Sequence, residues 1–250
     1  MIGSNYIFID VPKTGTTAIV NYLLANTTVS PVAGAITNSI RAVTTGPVHS
    51  HVPLLSYIDI LGRQVVKDAY VFTVVRNPYA RLVSIWKYYN KLKTKYHEID
   101  PGTPTCKDDP HRHESLKYLE RSPCFESYIE DILRYDPPPL NSTQRVIYDQ
   151  QFPYCCVFLK SQFALLNPGG AYFPKKADGF VDPFYNRVIN FESMDEGWRL
   201  VCKDMGWEHR MLEKVNVSGG PKWQSFYSEK QLESLKPLIM PDLRVWNSLK

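Results

Sequence analysis

Carboxylates are missing from two long parts of this 250-residue chain: residues 11–58 and 69–97 contain no Asp or Glu. In the second stretch Arg76, Arg81, Lys87, Lys91, Lys93 and Lys95 stand without an acidic neighbour in sequence. The formal net charge is only +4, so this is a local field, suited to a multiply anionic ligand rather than a sign of generalised polyanion binding. A solvated basic helix face accounts equally well for the distal lysines taken alone. Cysteine is sparse too. Cys106, Cys124, Cys155, Cys156 and Cys202 show no metal-ligand spacing, and an odd number argues against a disulfide framework. Cys106 and Cys124 bracket a polar segment and could pair in an oxidising compartment. Asn26-Thr27-Thr28, Asn141-Ser142-Thr143 and Asn216-Val217-Ser218 match the glycosylation acceptor pattern, which is used only in a secreted context. No apolar run approaches the roughly 20 residues of a spanning helix. The first strand pattern begins at Tyr6, which leaves no room ahead of it for a signal peptide. A soluble protein is expected, with no membrane segment in this chain. Neither an internal repeat nor a low-complexity tract interrupts residues 1–250. With 44% hydrophobic and 22% charged residues, disordered and collagen-like classes are excluded and one α/β domain is expected.

The richest stretch is Tyr6-Ile7-Phe8-Ile9-Asp10-Val11-Pro12-Lys13-Thr14-Gly15-Thr16-Thr17. Its first six residues are mostly β-branched or aromatic, as in a strand buried on both faces of a parallel sheet. From Thr14 the period changes, and Ala18, Ile19, Tyr22 and Leu23 fall on one side of a helix. A helix starting here leaves its first N–H groups unpaired and carries partial positive charge, so the turn can receive an oxyanion. Lys13 adds a full charge, Gly15 lets the backbone approach closely, and Thr16 and Thr17 bring hydroxyl donors. The spacing Gly-x-x-x-x-Gly-Lys-Ser/Thr is absent, because Lys13 precedes the glycine. That disfavours an ATP-type phosphotransferase.

A second strand pattern, Tyr70-Val71-Phe72-Thr73-Val74-Val75, runs into Arg76-Asn77-Pro78. Pro78 suits the first turn of a helix and Asn77 its cap. Leu82, Val83, Trp86 and Tyr89 form the apolar stripe, with Ser84, Lys87 and Lys91 opposite. Arg76 has the planar fork that fits a phosphate, and Ser84 could add a hydroxyl donor. The bland alternative is an Arg76–carboxylate pair and a solvent-facing Ser84.

Between these turns lies Val48-His49-Ser50-His51-Val52. His49 and His51 project to the same side of an extended segment. A metal site lacks a third ligand nearby in sequence, and a histidine satisfied by backbone is the ordinary structural reading. The third reading is a general base, since imidazole titrates near neutral pH and can take a proton from a hydroxyl group.

Residues 94–123 are polar and proline-containing and read as an insertion or lid loop. Residues 125–135 read as an amphipathic helix stopped by Pro137-Pro138-Pro139. Residues 144–166, with Gln150 and Gln151, are ambiguous, and Lys175-Lys176 could meet an anionic acceptor. Arg187-Val188-Ile189-Asn190-Phe191-Glu192 reads as a further strand, followed by a helix with Trp198, Leu200, Val201 and Met205. A mildly basic loop holding Lys222 and Trp223 precedes a last helix from Ser228 to about Leu238. Alternating strands and helices predict a mostly parallel sheet flanked by helices.

Pro12-Lys13-Thr14-Gly15-Thr16-Thr17 resembles the 5′-phosphosulfate loop of sulfotransferases that use 3′-phosphoadenosine-5′-phosphosulfate (PAPS). The closest form is that of the Golgi carbohydrate enzymes, in which Pro-Lys-Thr-Gly-Gly-Thr is common. Thr16 replaces the second glycine, which removes backbone freedom at a position where a helix N-terminus accepts threonine. Arg76-Asn77-Pro78-x-x-Arg81-x-x-Ser84 resembles the family's 3′-phosphate motif, and residues 187–192 its late strand. His49-Ser50-His51-Val52 is similar to the His-Gly-His-Val segment of uronyl 2-O-sulfotransferases. The resemblance implies a P-loop-kinase-like α/β fold over residues 1–250, a PAPS donor released as PAP, and no metal. It gives Lys13, Thr14, Gly15, Thr16, Thr17, Arg76 and Ser84 to nucleotide binding. His51 is implied as base with His49 supporting it, and Lys222 and Trp223 as contacts of a covering C-terminal loop. It also implies a hydroxyl acceptor, in this case a uronic-acid-containing glycan, and no nucleic acid. The compartment follows the chain: cytoplasm as it stands, Golgi lumen if an anchor was removed. A small alcohol or phenol as acceptor, or a nucleotide-binding module without catalysis, are the rival readings; the second has no use for His49 and His51.

Overall fold

The computed structural model describes residues 1–27, 54–97, 123–134, 162, 166, 184–213 and 221–250. Strands β1 (Tyr6–Ile9), β2 (Tyr70–Val75) and β3 (Arg187–Asn190) alternate with seven helices among the described residues. The helices are α1 (Thr16–Asn26), α2 (Leu54–Leu61), α3 (Arg63–Asp68), α4 (Pro78–His97), α5 (Phe125–Arg134), α6 (Met194–Met205) and α7 (Glu229–Asn247). Short 3-10 turns lie at Phe191–Ser193 and Trp223–Phe226. The described residues fall into two compact units, one drawn from 1–77, 161–217 and 241–250, the other from 78–160 and 218–240.

In the first unit the strands pair in the order β1-β2-β3, all parallel, with Ile9 opposite Thr73 and Val75 opposite Asn190. Crossovers between parallel strands place helices on both faces, so both faces must be apolar. The side-chain alternation supplies this. Ile7, Ile9, Val71 and Val75 join Leu54 and Tyr57 of α2 and Val66 of α3 in one core cluster. Tyr6, Phe8, Phe72, Val74 and Ile189 join Ile19 and Leu23 of α1 and Trp198 and Val201 of α6 in another. Each such large side chain, fully buried, contributes about 1.5–3 kcal/mol. Thr73 is the polar exception inside the sheet, and its hydroxyl donates to the Ile9 carbonyl at 2.8 Å. The α/β class expected from the strand and helix patterns is therefore the one observed.

In the second unit α4 packs with α5 and the turn at Trp223–Phe226 through aromatic rings. Trp86 meets Phe125 and Phe226 edge-on, with centroids 5.5 and 5.9 Å apart, the arrangement that ring quadrupoles favour. Tyr227 donates to the Tyr79 carbonyl at 2.8 Å, and Tyr79 donates to the Leu232 carbonyl at 3.2 Å.

Several boundaries differ from the sequence reading. β3 stops at Asn190 because the Asn190 side chain accepts the Glu192 N–H at 3.0 Å and turns the chain into a 3-10 segment. α4 runs to His97, four residues into the segment read as an insertion or lid loop. α7 continues to Asn247, past Pro237 and Pro241. Proline inside a helix removes an N–H donor and crowds the preceding turn, but Leu235, Ile239, Asp242 and Val245 make a buried stripe at helical spacing that carries the helix on. No described helix is long and apolar enough to cross a membrane.

Candidate nucleotide site

The turn after β1 is shaped by two left-handed residues. Gly15, the N-cap of α1, has φ 79 and ψ 12, and Lys13 has φ 66. For Gly15 the conformation carries no steric penalty. For Lys13 it costs on the order of 1–2 kcal/mol, and such strain concentrates where function holds it. Glycine at 15 is demanded twice over, since a Cβ there would come within 2.6 Å of Phe191 Cε2. Thr14 is buried and its hydroxyl donates to the Val11 carbonyl at 2.9 Å, closing the turn on itself. The Thr14 hydroxyl thus works inside the loop. Thr16 is buried and Thr17 exposed. Among the described residues α1 has no side-chain cap and no acid in its first turn, so this end keeps the positive character of a helix N-terminus.

The turn after β2 is anchored through its backbone. Gln162, buried, accepts the Arg76 N–H on Oε1 and donates from Nε2 to the Arg76 carbonyl, both at 2.8 Å. Its own N–H donates to Asp242 Oδ2 at 2.9 Å. The next amide, that of Asn77, donates to Glu192 Oε1 at 3.1 Å, while Glu192 Oε2 accepts the Trp246 indole N–H at 2.8 Å. The Arg76 guanidinium lies over the Phe191 ring, 4.4 Å from its centroid, a cation–π arrangement. From Nη1 it donates to the Lys13 carbonyl at 3.2 Å.

Lys13 and Arg76 are therefore neighbours. Parallel strands deliver their C-terminal ends to the same edge of a sheet, where α/β folds take ligands, and β1 and β2 pair directly. The first unit thus brings together Lys13, Thr14, Gly15, Thr16, Thr17 and Arg76. Ser84, Lys222 and Trp223 belong to the second unit. There Ser84 is half-buried on α4 and Lys222 is exposed. Trp223 lies parallel to Tyr79, with ring centroids 5.5 Å apart and planes 7° apart. His49 and His51 lie outside the described residues, as do Gln150, Gln151, Lys175, Lys176 and Cys106. Among the described residues no group of three or more His, Cys, Asp or Glu could hold a metal ion.

Sequence reasoning passed over three residues at these turns. Phe191 and Glu192 read as the end of a strand, and the signal against that was Asn190, a residue that readily caps a turn. Gln162 sits in an aromatic-rich stretch without a clear period, and nothing in the sequence marks it.

A protein-family model described as the sulfotransferase family matches residues 4–155, more than half of the chain and a stretch that takes in both turns. No curated protein matches the chain, and no solved structure does.

Proposed function

The chain belongs to the sulfotransferase family, and from that premise we propose that it moves the sulfuryl group of PAPS to a hydroxyl acceptor, a uronic-acid-containing glycan, since its motifs resemble those of enzymes acting on such glycans. The observation that carries this reading is the adjacency of the two turns, with Arg76 Nη1 on the Lys13 carbonyl. A bisphosphorylated adenosine needs an anion grip at each end. The residues present suit one: a left-handed cradle at a helix N-terminus, a lysine in it, and an arginine fork beside it.

When bound, PAPS supplies the sulfuryl group and a 5′-phosphate as leaving group, with PAP as product. Lys13 and the N–H groups of residues 14–17 stabilise the charge that gathers on the departing phosphate oxygen. Comparable donors are worth roughly 2.7–4 kcal/mol in other enzymes. Arg76 and Ser84 hold the 3′-phosphate and so orient the donor. Lys222 and Trp223 contact the nucleotide from the C-terminal loop. His51 takes the proton of the attacking hydroxyl, supported by His49, as the new S–O bond forms and the bond to the phosphate oxygen breaks. The acid-free stretches around both turns favour an anionic acceptor.

Incubation with radiolabelled PAPS and a panel of desulfated glycans and small alcohols and phenols tests the reading. Label in a glycan is the expected result. Label only in a small alcohol or phenol would replace the acceptor, and binding without transfer to any acceptor would leave a nucleotide-binding module.

A further inference from the structure

We propose that Arg76 and Phe191 act as positioning residues for the Lys13 turn, so that the group assigned to one end of the nucleotide also sets the shape of the grip at the other. Lys13 is the one non-glycine with positive φ among the described residues, and a strained residue persists only where its surroundings hold it. Two contacts do so here. The Arg76 guanidinium ties down the Lys13 carbonyl at 3.2 Å. Phe191 lies beneath that guanidinium, 4.4 Å from Cζ, and its ring edge fills the space where a Cβ on Gly15 would stand. One ring therefore backs both Gly15 and the arginine that holds Lys13, and Lys13 and Gly15 are the two residues that flank Thr14. The guanidinium has five donors, so holding Lys13 does not consume its capacity to meet a phosphate.

The consequence for ligands rests on the functional reading above; the consequence for the turn does not. In the ligand-free protein, Phe191→Leu leaves every charge in place, and amide hydrogen exchange at residues 14–17 is expected to rise about tenfold as the turn opens more readily. Phe191→Tyr should restore the wild-type rate, and Arg76→Ala should raise it as Leu does. Exchange unchanged in Phe191→Leu and Arg76→Ala, both still unfolding cooperatively, overturns the brace; if the Leu variant does not fold, Arg76→Ala decides alone.

Calorimetry with AMP and with adenosine 3′,5′-bisphosphate separates the two roles of Arg76. AMP has no 3′-phosphate, so an arginine that touches only that group would leave its affinity unchanged. The brace predicts instead that Phe191→Leu and Arg76→Ala each weaken AMP about tenfold, a change of 1.4 kcal/mol, and that Arg76→Ala weakens the bisphosphate further. Loss confined to the bisphosphate overturns the proposal. Wild-type protein that binds neither nucleotide sinks the functional reading, and the exchange measurement then decides the brace by itself.

Discussion

Glu192 holds Asn77 by its backbone amide, 3.1 Å from Oε1, while its other oxygen takes the Trp246 indole N–H at 2.8 Å. One carboxylate thereby links the turn after β3, the turn after β2 and the end of α7. Glu192→Ala removes both bonds, each worth about 1 kcal/mol where water competes. A loss of roughly 2 kcal/mol is expected in denaturant unfolding, while Trp246→Phe should lose about half of that. Equal stability of Glu192→Ala and wild type would show that water replaces the carboxylate without loss.

Gly15→Ala meets two obstacles. Its φ of 79 is in the left-handed region, a penalty of about 1–2 kcal/mol for alanine, and the added methyl would meet Phe191 at 2.6 Å. The variant should unfold several degrees below wild type and bind adenosine 3′,5′-bisphosphate more weakly. Thermal melts and calorimetry check the two effects separately, and unchanged values in both would mean that the turn relaxes freely.

His51→Ala is expected to abolish sulfuryl transfer while nucleotide affinity stays close to that of wild type, because a base touches the acceptor proton and not the donor's phosphates. Lys13→Ala should differ, lowering kcat by about 100- to 1,000-fold. Residual turnover near wild type in the His51 variant would take that residue out of the base role.

Stability should fall at both ends of the pH scale for identifiable reasons. Burial pushes the Cys202 thiol up to about 11, against about 8.5 for a free thiol. Between those values the unfolded chain releases a proton that the folded chain keeps, so stability declines as pH rises through that window. Cys202→Ala should flatten this limb. Asp204 behaves in the opposite sense. Hydrogen bonds from Tyr70, at 2.5 Å, and from Arg187, at 2.7 Å, hold its carboxyl below the usual range. Its contribution is present above about pH 3.9 and is lost as pH falls through the lower folded value. Asp204→Asn should make the acid limb shallower, and chemical denaturation at a series of pH values measures both effects.

The parts of this fold that could be read from sequence are those fixed by local period. β2 spans the six residues its apolar run marks out, Pro78 opens α4, and Ile19 and Leu23 are buried on the expected side of α1. What local pattern could not supply is contact across long separations. Phe191 under Arg76 joins residues 115 positions apart, as does Glu192 with Asn77, and no spacing rule connects them. Nor does composition reveal that Lys13 is left-handed, since lysine has no preference for that region. The end of α7 was missed as well: the helix read as closing at about Leu238 runs past Pro237 and Pro241 to Asn247, carried on by the burial of Ile239 and Val245.

The ladder between β1 and β2 works as a ruler. Ile9 faces Thr73, Lys13 comes four residues after the first and Arg76 three after the second. Deleting one residue within β2 would draw Arg76 back by about 3.3 Å and exchange the two sides of the strand beyond the deletion. Evolution can lengthen or trim the connections around these strands, but the span between the two cationic groups is measured in whole rungs.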